Sequence, residues 1–134
     1  MRLKLDPRSR TPIYAQLVQQ IKHQVAAGQL QPGDRLPTVR ALAAELRIHT
    51  NTVARAYDLL DQAGVISAQQ GRGTYIARPA DHPHLQRQRR DTLQTAIERA
   101  VLEALSLGYT IEEITASFDR TLKDWRRKSR KGIE

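Results

Sequence analysis

The 134-residue chain contains no cysteine, which excludes disulfides, thiol catalysis and thiolate metal sites. It also has no uninterrupted apolar run near the ~20 residues of a membrane span. Residues 1–7, MRLKLDP, carry charges where a secretory signal needs an apolar stretch, so the expectation is a cytoplasmic protein. No nucleophile–base pair, carboxylate dyad or metal-ligand cluster stands out, and the expectation is a chain that is no enzyme and carries neither cofactor nor metal. No internal repeat or low-complexity tract is apparent. Acids are scarce beside bases: 14 Asp+Glu against 22 Lys+Arg give a formal charge of +8. Such a surplus favours a polyanion, either nucleic acid or an anionic membrane surface. A chain of this length makes one small domain with an appended element and leaves little to wall off a deep substrate cavity.

Helical periodicity organises the first half. Ile13, Leu17, Ile21 and Val25 recur every fourth residue, with Thr11 as the expected N-cap, Pro12 as the first helical residue and Gly28 as the stop. A second helix opens at Pro37 and Thr38 and buries Val39, Leu42, Ala43 and Leu46. Residues 47–49 make a turn. A third helix, from about Thr50 to Gln62, buries Val53, Ala56, Tyr57 and Leu60, with Gly64 ending it. Residues 65–68 and 74–77 read as short strands around a turn at Gln70, Gly71, Arg72 and Gly73. This order predicts a mainly α fold with a small β-hairpin: a winged helix-turn-helix over residues 1–78. A double-proline linker spans residues 79–84, and a two-helix dimerisation tail spans residues 85–134.

In the tail, Leu93, Ile97, Ala100, Ala104 and Leu107 are spaced four, three, four and three, a heptad-like seam on a helix roughly 34 Å long. Thr110 and Glu113 form a capping box. Ile111, Ile114, Phe118, Leu122 and Trp125 give the last helix its apolar face, and a basic cluster closes the chain.

Groove insertion needs small polar or forked side chains in the first turn of a helix. Thr50, Asn51 and Thr52 occupy that turn: Asn51 can pair bidentately with adenine, and the threonines can bond base edges or touch a thymine methyl. The same three residues also suit a purely N-capping role. Arg55, one turn on, can reach a guanine or a phosphate. Thr38 can offer its hydroxyl and neighbouring amides to a phosphate. Arg40 can fork onto a guanine, or pair with Glu45 or Asp34 as a solvated charge. In the wing, Gly71 and Gly73 permit positive φ and close backbone approach while Arg72 supplies charge. Gln70 can contact DNA or merely finish the turn. A nucleotide-binding glycine loop is excluded here, because a strand follows and the third glycine is missing. His82 and His84 lack a third ligand and read as exposed linker histidines. Other classes stay open: a packaging or RNA-binding protein of the same charge, and a membrane-surface helix ending at residues 123–131, the latter set against a solvated helix end.

PIYAQL, GDRLPTVRALAAEL, NTVARAYDLLDQAGVI and QGRGTYI are four collinear motifs between Pro12 and Ala77. They resemble the DNA-binding domain of the GntR family of bacterial transcription regulators. The tail, around ALSLGYTIEEI, is similar to the two-helix C-terminal region of the family's YtrA-type subgroup. The resemblance implies that Arg40, in the LPxxR position, reads DNA, that Thr50, Asn51, Thr52 and Arg55 form the recognition turn, and that Gln70, Gly71 and Arg72 form the wing contact. One departure is His49, where a serine or asparagine cap is usual, which leaves open whether Thr50 caps the helix or touches a base. The resemblance further implies a homodimer that represses transcription from an inverted-repeat operator. The seam and Ile114, Phe118, Leu122 and Trp125 are the expected dimer surface, since a lone two-helix tail can hardly hide them. The tail is too short for the ligand-binding or aminotransferase-like domains of larger relatives. A crevice between the tail helices or at the dimer seam is where a small-molecule effector would sit.

Overall fold

The computed structural model describes residues 1–69, 73–78, 81–83 and 86–133, with the side chains at 69, 86–88 and 129–133 left aside. The elements are α1 (Ile13–Ala26), β1 (Arg35–Leu36), α2 (Val39–Leu46), α3 (Thr50–Gln62), β2 (Ile66–Gln69), β3 (Gly73–Ile76), α4 (Gln86–Ser106) and α5 (Ile111–Ile133). The fold is mainly α with a small antiparallel sheet, as the sequence predicts. The sheet has three strands, in the order β1-β3-β2, where the sequence suggested only a hairpin.

Periodicity accounts for the core. Leu17, Val18 and Ile21 of α1 meet Leu42 and Ala43 of α2 and the Val53, Ala56, Tyr57 and Leu60 stripe of α3, all buried, with Ile66 and Ile76 closing the cluster from the sheet. Those side chains fix the helix-turn-helix by apolar burial at roughly 25 cal/mol per Å². Tyr57 adds a directional tie: its hydroxyl donates to the Pro37 carbonyl at 2.7 Å, pinning the entry to α2 against α3.

Several boundaries move for identifiable reasons. Helix α1 starts at Ile13, with Pro12 in the cap position and no side-chain cap. Thr11 stands one residue before the cap position, and its backbone is tied instead to its neighbours, its N–H donating to Ser9 Oγ and its carbonyl accepting from Gln16. The strands sit one residue from their expected places. Gly73, at φ +100, joins the ladder opposite Gln69, while Ala77 instead donates its N–H to the Val65 carbonyl. Strand β1 pairs Arg35 with Tyr75 and Leu36 with Thr74. The turn after α2 closes on Arg47, a non-glycine residue at φ 56, with Ile48 N–H reaching back to the Ala43 carbonyl at 3.0 Å.

His82 is not an exposed linker histidine. It is half-buried, its Nε2 lies 2.9 Å from the Ile66 carbonyl, and Asp61 stands 3.8 Å away. His84 lies outside the described residues. In the tail the capping box forms as expected: Glu113 N–H donates to Thr110 Oγ1 at 3.1 Å, and Thr110 N–H to Glu113 Oε1 at 3.2 Å. Ile114 is buried and Phe118 half-buried against α4, but Leu93 is 63% exposed, Leu107 71% and Leu122 58%. Trp125, also half-buried, packs edge-on against His23 of α1, ring centroids 4.9 Å apart, with Lys128 over its face. The tail helix thereby returns to the N-terminal unit.

Candidate nucleic-acid interface

Helix α3 buries one side and presents its N-terminal turn outward. Thr50 and Asn51 are exposed, and Thr52 is half-buried. The cap of this helix is His49: in extended backbone geometry, its Nδ1 accepts the Asn51 N–H at 3.1 Å. Thr50 is therefore a helical residue, not the cap. The side chains of Thr50 and Asn51 have no hydrogen-bond partner among the described residues, so their donors and acceptors remain available to a ligand.

Thr38 caps α2, its Oγ1 accepting the Ala41 N–H at 3.0 Å. The hydroxyl proton is left to donate. Arg40 is exposed and makes no ion pair with Glu45 or Asp34; the Asp34 carboxylate instead accepts the Gln31 N–H at 2.8 Å. Arg55 is exposed, and its guanidinium carbon lies 3.8 Å from the centroid of the Tyr14 ring. Stacking of that kind orients the guanidinium plane and leaves its edge N–H groups to bond outward. Helices α2 and α3, which carry these residues, are held together by the common core.

Of the wing, Gly73 is described and Gln70, Gly71 and Arg72 lie outside the described residues. At Gly73 a Cβ would meet Arg35 Nε at 3.1 Å, so the glycine lets the Arg35 guanidinium lie across the base of the wing. Arg35, the cap at His49 and the Tyr14 platform are features that reading the sequence missed. Arg35 could have been found only by recognising its two-residue strand; the histidine could have been proposed from its position before a polar helix start. No group of three or more metal-ligating side chains is found among the described residues, and no helix among them is long and apolar enough to cross a membrane.

Residues 13–76, which span α1, α2, α3 and the sheet, match the model for bacterial regulatory proteins of the gntR family. At full-chain scale, the HTH-type transcriptional repressor YtrA of Bacillus subtilis (strain 168) is 37% identical over 112 residues, 84% of this chain and 85% of that one. The chain belongs to the GntR family. Its members are transcription regulators rather than enzymes. Among solved structures, the GntR-family transcription factor YtrA from Sulfolobus acidocaldarius aligns with a TM-score of 0.67 at 33% identity, covering 91% of this chain and 97% of that one. AraR(DBD) in complex with operator ORX1 aligns with a TM-score of 0.50 at 28% identity, over 56% of this GntR-family chain and 93% of that chain. The first likeness includes the two-helix tail; the second is confined to about half of the chain.

Proposed function

We propose that this chain is a cytoplasmic, sequence-specific repressor that binds an inverted-repeat operator as a homodimer and is released by a small-molecule effector. Residues 1–78 are the DNA-binding domain, residues 79–84 the linker and residues 85–134 the dimerisation and effector tail. The observation that carries the reading is the outward, internally unpartnered pair Thr50 and Asn51 at the start of a helix whose opposite side is core. A helix in that setting enters the major groove with its first turn on the base edges. Arg40, Thr52 and Arg55 add base and phosphate contacts, Thr38 a phosphate contact, and Gln70, Gly71, Arg72 and Gly73 the wing contact.

The dimer reading is supported by the uncovered seam. Leu93, Ile97 and Leu107 leave 63%, 41% and 71% of their surface open in the single chain, and a symmetric partner helix would cover them. Ala100 and Leu122, both exposed, extend that surface with the half-buried Ala104 and Phe118, whereas Ile114 is already buried within the single chain and Trp125 packs against His23, so these two contribute at most their edges. Between α4 and α5 lies an open cavity of about 700 Å³, lined by Ala104, Leu107, Tyr109, Ile114, Phe118 and Arg120 among others. Its size and mixed lining suit a small organic effector.

Selection of bound fragments from a random double-stranded DNA pool tests the reading. Enrichment of inverted repeats with half-sites about one helical turn apart, roughly 34 Å, or a multiple of it, is expected. Recovery of DNA without a common sequence would contradict it.

A further inference from the structure

Three glutamines of α1, Gln16, Gln20 and Gln24, stand four residues apart on one face and hold the backbone of residues 1–6 in an extended course. Gln16 Oε1 accepts the Asp6 N–H at 2.8 Å and Gln16 Nε2 donates to the Asp6 carbonyl at 2.8 Å. Gln20 treats Lys4 the same way, and Gln24 donates to the Arg2 carbonyl at 2.6 Å. Two residues of extended chain advance ~6.6–6.8 Å and four residues of helix ~6.0 Å. The two repeats stay in step over this length, and side-chain amides replace a neighbouring strand. Leu3 and Leu5, on the alternate positions, pack against the core.

Gln16 does a second job. Its Nε2 also donates to the Thr11 carbonyl at 2.9 Å, so one amide fastens both ends of the loop between Asp6 and Thr11. Inside the loop, Arg8 N–H donates to Asp6 Oδ1 at 3.0 Å, Ser9 N–H to the Asp6 carbonyl at 3.2 Å and Thr11 N–H to Ser9 Oγ at 3.1 Å. At its apex Arg8 and Arg10 are exposed, and neither has an ion-pair partner among the described residues. Tyr14, three residues past Thr11, lies under Arg55 of α3. The loop therefore flanks the reading helix on its α1 side.

We infer that this closed loop is a phosphate clamp, in which Arg8 and Arg10 grip the DNA backbone along one edge of the groove that α3 enters. The inference rests on the DNA-binding reading above. A helix ~10–12 Å across fills a major groove ~12 Å wide. Cations beside the helix therefore meet the bordering phosphates, not the bases. Fastening the loop in advance lowers the ordering cost of that contact.

The test is fluorescence anisotropy of the full chain with two duplexes of equal length, one enriched from the random pool and one of random sequence, titrated between about 50 and 200 mM salt. Each phosphate neutralised contributes ~0.9 to the slope of log affinity against log salt. The double variant Arg8→Gln/Arg10→Gln should therefore lose about 1.8 of slope and bind both duplexes about 30-fold more weakly near 0.15 M salt. The preference between duplexes should stay as in the unaltered chain, and Arg8→Lys/Arg10→Lys should restore the slope. Gln16→Ala, which keeps both charges but unfastens the loop, should weaken both duplexes in equal proportion. An unchanged slope in the glutamine double variant, with selectivity intact, overturns the clamp and leaves the DNA reading standing. A change in the ratio between duplexes at constant slope overturns it in favour of base contact. Failure of the unaltered chain to bind either duplex overturns both.

Discussion

Replacing Tyr57 by phenylalanine deletes one oxygen atom at the joint between the two helices of the reading motif. That oxygen is in a 6% exposed side chain and donates to the Pro37 carbonyl at 2.7 Å. A net hydrogen bond of this kind stabilises by about 1 kcal/mol, so the variant should be less stable by that amount at neutral pH. Alkaline pH gives a sharper signature. Burial pushes the Tyr57 hydroxyl from 10.0 up to about 12. The folded state holds this proton more tightly than the unfolded chain does, so the contribution is complete below pH 10. It falls as pH rises from the unfolded value through the folded one. A shift of two units corresponds to about 2.7 kcal/mol, larger than the ~1 kcal/mol of the bond. The stability difference between the two proteins should therefore shrink and change sign between about pH 10 and 12, the phenylalanine variant becoming the more stable. Urea denaturation followed by helix circular dichroism, stepped through pH 7 to 12 on both proteins, measures that difference while cancelling the titration of shared groups. A difference that stays constant across the range would refute the argument.

Loss of the cap in His49→Ala should destabilise the fold by about 1 kcal/mol in urea titration, with His49→Asn recovering most of it, since asparagine is a strong N-cap. Arg40→Ala should cost about 1–3 kcal/mol in binding to the selected duplex while leaving helix content unchanged, as expected of a forked base contact. Charge placed on the open seam, as in Ile97→Asp/Leu107→Asp, should convert a dimer to a monomer in sedimentation without lowering the helical signal. An unaltered sedimentation coefficient would move the dimer contact elsewhere.

How much was legible in the sequence depends on where each element draws its stability. Helix α3 was readable to the residue because Val53, Ala56, Tyr57 and Leu60 repeat at helical spacing between a polar start and Gly64, and those four are buried. The capping box at Thr110 is likewise a local pattern with a local cause. Strand β1 was invisible, because two residues carry no alternation and Arg35–Leu36 become a strand only by pairing with β3. The glutamine ladder escaped notice since Gln16, Gln20 and Gln24 look like an ordinary solvated face until the extended arm lies beside them. His82 was misplaced for a related reason: its partner, the Ile66 carbonyl, is backbone 16 residues away and leaves no mark on the linker's composition. At the candidate interface, the exposed positions of Thr38, Arg40, Thr50, Asn51 and Arg55 were anticipated. The His49 cap had a local cue in its position before the polar helix start, whereas the stacking of Arg55 on Tyr14 joins residues 41 apart in the chain and required three dimensions.

The claim on which everything else turns is that the first turn of α3 discriminates base sequence. Its most direct test is the ratio of affinities for the selected and random duplexes, measured by competition for the unaltered chain and for Asn51→Ala. Loss of a bidentate adenine contact should lower that ratio by about 1–3 kcal/mol equivalent while binding to random DNA barely changes. An Asn51→Ala protein that kept the full ratio would contradict the placement of this turn against the bases.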